Sequence, residues 1–285
     1  MKYFKSLFLL ITIVLVSSCT STQHTVAPIV QKTNFEKLAT IENVVKIEKR
    51  TTVSHFDENY EIWFEQPVDH NDPSKGNFRQ RVFLGYENDA KPVIVELRGY
   101  GIGGEKAGEL ADHYRANQLT IEHRYFTNSR PEKIDWNTLT VENAAKDQAR
   151  IIDAVRKALY PSNKFISTGI SKGCQTTMAH RSFFPENVDA CVCYVGPLNN
   201  QREDPRVYEF LANVGSESDR AKVKSFQEMC FENRAALLTI LKSTAQEKNM
   251  SWEFGVEKAM DYTILEYSFA FWQWGTKIED IPAQN

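Results

Sequence analysis

The stretch Lys164-Phe165-Ile166-Ser167-Thr168-Gly169-Ile170-Ser171-Lys172-Gly173-Cys174 decides how this chain is read. An apolar, β-branched run meets a Gly-x-Ser-x-Gly, and the residues after it suit a helix. That is the pattern of a nucleophile elbow, a sharp strand-to-helix turn that lifts a serine above a sheet edge. The glycines have a steric job: a Cβ at Gly169 or Gly173 would clash where strand and helix backbones approach. Ser171 is then the candidate nucleophile, and the backbone N–H of Lys172 the candidate for half of an oxyanion hole. Taken alone, the motif also fits a plain glycine-rich turn, so its surroundings have to decide.

Upstream, Tyr60 to Phe64 alternates like a half-buried strand, Arg79 to Tyr86 reads as the next, and Pro92 to Leu97 is apolar enough for a sheet interior. The last of these runs into Arg98-Gly-Tyr-Gly-Ile-Gly-Gly104. A glycine-rich loop there lets backbone N–H groups approach a substrate, so Gly99, Tyr100 and Gly101 are the expected oxyanion loop; a flexible surface loop is the plainer alternative. The glycine spacing is wrong for a dinucleotide fingerprint. Residues 105–116 suit a helix and 119–123 a strand. Thr140 caps an amphipathic helix with Ala144, Ala145, Ile151, Ile152, Val155 and Leu159 on its apolar side, and Pro161 ends that segment. After the elbow helix, Cys191 to Val195 is a further strand.

Such alternation of apolar strands and helices implies an α/β fold: an α/β-hydrolase-like, mostly parallel sheet with helices on both faces. The core is expected over 56–200. Segments 205–214, 218–248 and 253–274 all read as helices, so 201–285 is expected as a helical lid.

With 285 residues, 42% of them hydrophobic, the chain can bury a real core, and a net charge of −3 without basic runs argues against a nucleic-acid partner. Lys2 and Lys5 precede an apolar run from Leu7 to Val16 that closes in Val16-Ser-Ser-Cys19. This is a secretory signal, too short to span a membrane, with a lipoprotein-type ending. The expectation is a signal peptide over 1–19, a lipidated Cys19, a polar tether over 20–55 with room for a short helix between Asn34 and Arg50, and an exported, membrane-anchored bacterial lipoprotein. Of the remaining cysteines, Cys191 and Cys193 share one side of a strand and are poorly spaced to bridge; buried thiols are expected for most of Cys174, Cys191, Cys193 and Cys230. No His/Cys cluster has zinc spacing, so neither metal nor cofactor is expected.

Several separate motifs, in order, resemble one family. They are Gln66-Pro-Val-Asp-His70, Gly76-Asn-Phe-Arg-Gln-Arg-Val82, Glu122-His-Arg-Tyr-Phe126 with Ser129 and Pro131, Asp135-Trp136, Thr168-Gly-Ile-Ser-Lys-Gly173, Phe183-Phe-Pro185 and Phe271-Trp-Gln273. Together they resemble the secreted serine tripeptidyl aminopeptidases, bacterial α/β-hydrolases distantly similar to prolyl carboxypeptidase. The resemblance covers about 60 to 275 and implies Ser171 as nucleophile, a peptide or protein substrate, and release of tripeptides from free N-termini. One departure is Cys174, where the family continues with glycine.

A larger departure concerns the base. In α/β-hydrolases the order is Ser, then Asp or Glu, then His. The histidines here are His24, His55, His70, His113, His123 and His180, and the last sits on the elbow helix. The chain is therefore expected to stop before the triad Asp and His and before the last strands of the sheet, with little turnover of its own. His123, at a strand's end, is expected in a structural or subsite role. The Lys172 side chain is expected to diverge from Ser171. Glu122 is a candidate to hold a substrate's α-ammonium, against the plainer ion pair with Arg124, and Trp272 is a candidate substrate contact. Two other readings stand beside the peptidase: an esterase or lipase on the same fold, and a noncatalytic peptide-binding lipoprotein.

Overall fold

The computed structural model describes residues 32–104 and 106–282. The signal peptide, Cys19 and the tether as far as residue 31 lie outside the described residues. The division into two compact units falls after Pro197.

The first unit is organised by one seven-stranded sheet. Its strands are β1 (Val44–Arg50), β2 (Glu58–Pro67), β3 (Asn77–Tyr86), β4 (Val93–Leu97), β5 (Asn117–Ile121), β6 (Phe165–Ile170) and β7 (Ala190–Tyr194), in the order β1-β2-β3-β5-β4-β6-β7. The first three form an antiparallel meander, and β3 also pairs antiparallel with β5. From β5 across β4 and β6 to β7 every pairing is parallel. All strands except β1 and β3 thus point one way, which is the mostly parallel sheet expected. The helices are α1 (Asn34–Ala39), α2 (Glu109–Tyr114), α3 (Val141–Leu159) and α4 (Lys172–Phe183).

One expectation needs correcting. The short helix expected between Asn34 and Arg50 is present as α1, but residues 34–50 are not tether. Thr33 and Glu36 close a reciprocal cap on α1, whose Leu38 is fully buried in the main core, and β1 pairs with β2 along Val44–Arg50. Polar residues hid this, because an edge strand keeps one face in water and reads as hydrophilic. Helices lie on both faces of the sheet, as expected, though unevenly. On one face α1 and α3 pack with the strands around Ile62, Val82, Val95, Leu119, Ile151 and Phe165, and α4 lies against α3. The other face carries a small cluster of Phe56, Ile94, Ala111 and Ala116 under α2, which is two turns shorter than the expected 105–116. Nothing among the described residues pairs with the outer edge of β7, and Cys191 and Cys193 on that strand are exposed. Among the described cysteines only Cys174 is a buried thiol, and Cys230 is half-buried.

The second unit is helical: α5 (Pro205–Asn213), α6 (Glu217–Glu232), α7 (Arg234–Glu247) and α8 (Val256–Trp274). The expected single helix over 218–248 is two, broken at Asn233, whose side chain turns back onto the Met229 carbonyl. Ser216 caps α6 with Asp219 in a reciprocal box, and Val223, Phe271 and Ile281 form the unit's own core. Among the described residues no helix is long and apolar enough to cross a membrane.

Candidate active site

The crossed strand order places a crevice outside the carboxyl ends of β4 and β6, whose onward connections run to opposite sides, to β5 and to β7; ligands of open α/β sheets bind at such a point. Three of the sequence's candidate stretches meet there: residues 98–104 after β4, 122–129 after β5 and Ser171 after β6.

Ser171 has φ 56° and ψ −122°, a conformation a non-glycine residue rarely adopts. Its N–H donates to the Tyr194 carbonyl of β7 at 3.0 Å, its carbonyl accepts from Cys174 N–H to start α4, and its side chain is exposed. The glycines are obligatory for the expected reason. A Cβ on Gly169 would lie 2.2 Å from the Gly173 carbonyl oxygen, and one on Gly173 would lie 2.8 Å from the Leu97 oxygen. Gly99 belongs to the same contact: its Cβ would sit 2.7 Å from Gly173 N and from the Lys172 carbonyl carbon. The glycine-rich loop and the elbow therefore touch backbone to backbone. Tyr125, Thr127 and Val195 also carry positive φ in loops at this end, and for a β-branched residue such as Val195 that is costly. Such strain concentrates where function requires it.

Among the described residues, the N–H groups of Lys172, Tyr100 and Gly101 have no hydrogen-bond partner, so donors are free on both sides of the contact. The Lys172 side chain turns onto the glycine-rich loop. Its Nζ donates to Gly99 O at 2.6 Å and lies over the rings of Tyr100 and Phe126, 4.8 and 4.6 Å from their centroids. Burial lowers its pKa.

Glu122 does not hold a substrate ammonium in this arrangement. Its carboxylate is fully buried and already accepts from Arg81 Nη2 (2.7 Å), Thr127 Oγ1 (2.7 Å), Ile102 N–H (3.0 Å) and the Ser129 hydroxyl. Burial pushes its pKa up, but the Arg81 guanidinium and the three other donors outweigh this and leave it lowered. Nor is Arg124 its partner. Glu122 extends the β3 ladder toward Arg81, while Arg124 turns under the sheet to Asp147 of α3 at 2.7 Å. Trp272 packs edge-on against Phe271 within the helical unit and fills the space beside Gly215, so its ring serves that unit's own core.

His123 is buried, and its Nδ1 faces the Arg124 carbonyl at 2.8 Å, which assigns the proton to Nδ1 and the lone pair to Nε2. Burial and then the nearby Lys172 ammonium push its pKa down to about 4, so the ring is neutral at pH 7. It lines a cavity of about 120 Å³ with Val141, Ala144, Ala145, Lys172 and Ala179. No described histidine or carboxylate is hydrogen-bonded to the Ser171 hydroxyl. His180 is buried on α4 against Asn187, and His70 is bonded to Asp147. The described residues hold no cluster suited to a metal ion.

Comparison with known proteins bears on the same residues. The profile of the family described as PS-10 peptidase S37 matches residues 33–285. A prolyl tri/tetrapeptidyl aminopeptidase of Streptomyces mobaraensis is 32% identical over 215 residues, which are 74% of this chain and 45% of that protein. The chain thus spans under half the length of that relative. Among solved structures, acetyl xylan esterase 1 of Thermoanaerobacterium superposes with a TM-score of 0.37 at 14% identity, covering 66% of this chain and 68% of the other. The 2-hydroxy-6-oxo-6-phenylhexa-2,4-dienoate hydrolase of Rhodococcus gives 0.35 at 16% identity, with 79% and 73% covered.

Proposed function

The chain belongs to the PS-10 peptidase S37 family, and from that premise we propose that it is a serine exopeptidase that releases tripeptides from free N-termini, with Ser171 as nucleophile. The observation that carries this reading is the strained backbone of Ser171, set against free N–H donors on the elbow and on the glycine-rich loop.

Ser171 Oγ attacks the scissile carbonyl carbon, and the oxyanion rests on the N–H of Lys172 and an N–H of the Gly99–Gly101 loop. Collapse expels the amine of the shortened protein and leaves an acyl-enzyme, which water hydrolyses. The hydroxyl proton needs an acceptor. His123 lines the cavity and makes no hydrogen bond with Ser171. Without a bonded base, turnover by the residues described stays at the residual level that binding and the oxyanion hole provide. The signal ending in Cys19 supports the same protein as a lipid-anchored, exported enzyme.

The test is a fluorophosphonate applied to the purified chain, followed by tripeptide amides with free or blocked N-termini. Slow labelling that vanishes in Ser171→Ala, with a preference for the free N-terminus, is expected. Labelling that persists in Ser171→Ala removes the assignment, and turnover of p-nitrophenyl esters with none of the peptide amides replaces the peptidase by an esterase. Radiolabelled palmitate incorporated in wild type but not in Cys19→Ala tests the anchor.

A further inference from the structure

The glycine-rich loop is held at both ends by side chains to which the reaction above gives no part. At its start, the Lys172 ammonium donates to the Gly99 carbonyl at 2.6 Å, with its charge over Tyr100 and Phe126, whose rings meet edge to face at 5.3 Å. At its end, the buried Glu122 carboxylate accepts the Ile102 N–H at 3.0 Å, and Arg81 reaches both that carboxylate and the Ile102 carbonyl, the latter at 3.2 Å. Between these anchors the Tyr100 carbonyl accepts from His123 N–H at 3.2 Å.

The geometry has a consequence for the free donors. In a trans peptide the C=O of one residue and the N–H of the next point in opposite directions. Fixing the Gly99 carbonyl on Lys172 Nζ therefore fixes the Tyr100 N–H on the other side of that peptide plane. A Gly-Tyr-Gly segment has little intrinsic preference for one plane over another. The restraint has to come from outside the loop.

We propose that Lys172 and Glu122 are positioning residues that clamp the Gly99–Ile102 loop from its two ends, so that its N–H donors stand preformed toward the space beside Ser171. This deepens the peptidase reading and rests on it for its catalytic meaning, while the clamp itself is a property of the fold. The alternative for Lys172 is a side chain laid over two aromatic rings, and for Glu122 a plain buried ion pair with Arg81. Neither requires loop and chemistry to respond together.

Three variants of the whole chain separate these accounts: Lys172→Met, which keeps the apolar stem, Lys172→Arg, which keeps a charged donor, and Glu122→Gln, which removes the charge at similar shape. Two quantities are read: amide hydrogen exchange at Ile102 and His123, the two bonded amides that report on the loop, and the second-order rate of fluorophosphonate labelling of Ser171. With the clamp, exchange at both amides rises at least about tenfold in Lys172→Met and Glu122→Gln while the β2–β3 amides keep theirs. Labelling falls by about 100-fold, the scale of an ångström-sized misplacement at a reacting centre, and Lys172→Arg recovers most of both. Unchanged exchange in Lys172→Met overturns the clamp, and that variant decides the matter should Glu122→Gln fail to fold. Faster exchange with unchanged labelling overturns the catalytic part alone. If the wild-type chain takes no label, the nucleophile assignment fails, and exchange still judges the clamp.

Discussion

Replacing Asp147 by Ala should destabilise the sheet unit far more than a typical surface change. Arg124 is fully buried, and each of its five N–H donors has an acceptor. Nε meets Asp147 Oδ2 at 2.7 Å, and Nη2 meets Asp147 Oδ1 at 3.0 Å and Pro67 O at 3.1 Å. Nη1 takes Val68 O at 3.0 Å and Thr138 O at 2.8 Å. Asp147 also holds His70 Nε2 at 2.7 Å. Asp147→Ala leaves the three carbonyl bonds but strips the guanidinium of its counter-charge in the core, at a cost of about 3–5 kcal/mol. For a unit of this size that converts to a fall in Tm of about 6–20 °C. Circular dichroism melts at pH 7 read it directly. The double variant Arg124→Met with Asp147→Leu should recover most of the loss, because removing both charges removes the desolvation penalty along with the attraction. A single variant within about 1 kcal/mol of wild type, or a double variant no better than the single, would refute the reasoning.

Other outcomes follow from the same geometry. Gly169→Ala places a Cβ against the Gly173 carbonyl, so it should cost about 1–3 kcal/mol by overpacking and abolish fluorophosphonate labelling; a labelled, fully stable variant would show that the elbow relaxes freely. His123, depressed to about 4 in the fold against about 6.5 unfolded, makes the unfolded state bind more protons between those values. Stability should therefore fall by about 3 kcal/mol as pH drops from 6.5 to 4 and level off below, and His123→Gln should remove that slope in acid melts. Glu122 has the same sense in a lower pH window: its lowered pKa contributes stability at neutral pH that is lost as pH falls through its folded value, so the penalty of Glu122→Gln should shrink in strong acid. Native alkylation at pH 8, read by mass spectrometry, should modify exposed Cys191 first and spare buried Cys174, with Cys193 slow because partial desolvation of its sulfur and its contact with Cys174 push its thiol up to about 12; early labelling of Cys174 would contradict the packing of α4.

The elbow was legible because steric necessity writes itself into composition: glycine at 169 and 173 is the only residue that fits. The apolar strands from β2 to β7 and the Thr140 cap were legible for similar reasons, since burial and capping each leave a local mark. What escaped was non-local. Glu122 reads in sequence as an anion for a substrate ammonium or for Arg124, and only the pairing of β3 with β5 brings Arg81 to it instead. Lys172 reads as a residue pointing off a turn, and only the contact of two backbones at Gly99 turns its ammonium back onto the loop. The strand β1 escaped because edge strands carry the polar composition of linkers.

The order of strand pairing also has a temporal side. Strands β1, β2 and β3 join through connections of a few residues, residues 51–57 and 68–76, whereas β4 finds β6 only after the chain has travelled from Leu97 to Phe165. Closing short loops is entropically cheaper and faster than closing long ones. On a ribosome the meander is also synthesised first. It should act as a template on which β5 docks, with β4 and β6 closing the parallel half last, so the elbow takes its strained shape only at the end of folding. Pulse-labelled exchange during refolding would show this as early protection of Ile62 and Val82 and late protection at Ile166 and Ser171. Simultaneous protection of both halves would mean that the nucleophile's strain is built in from the first collapse.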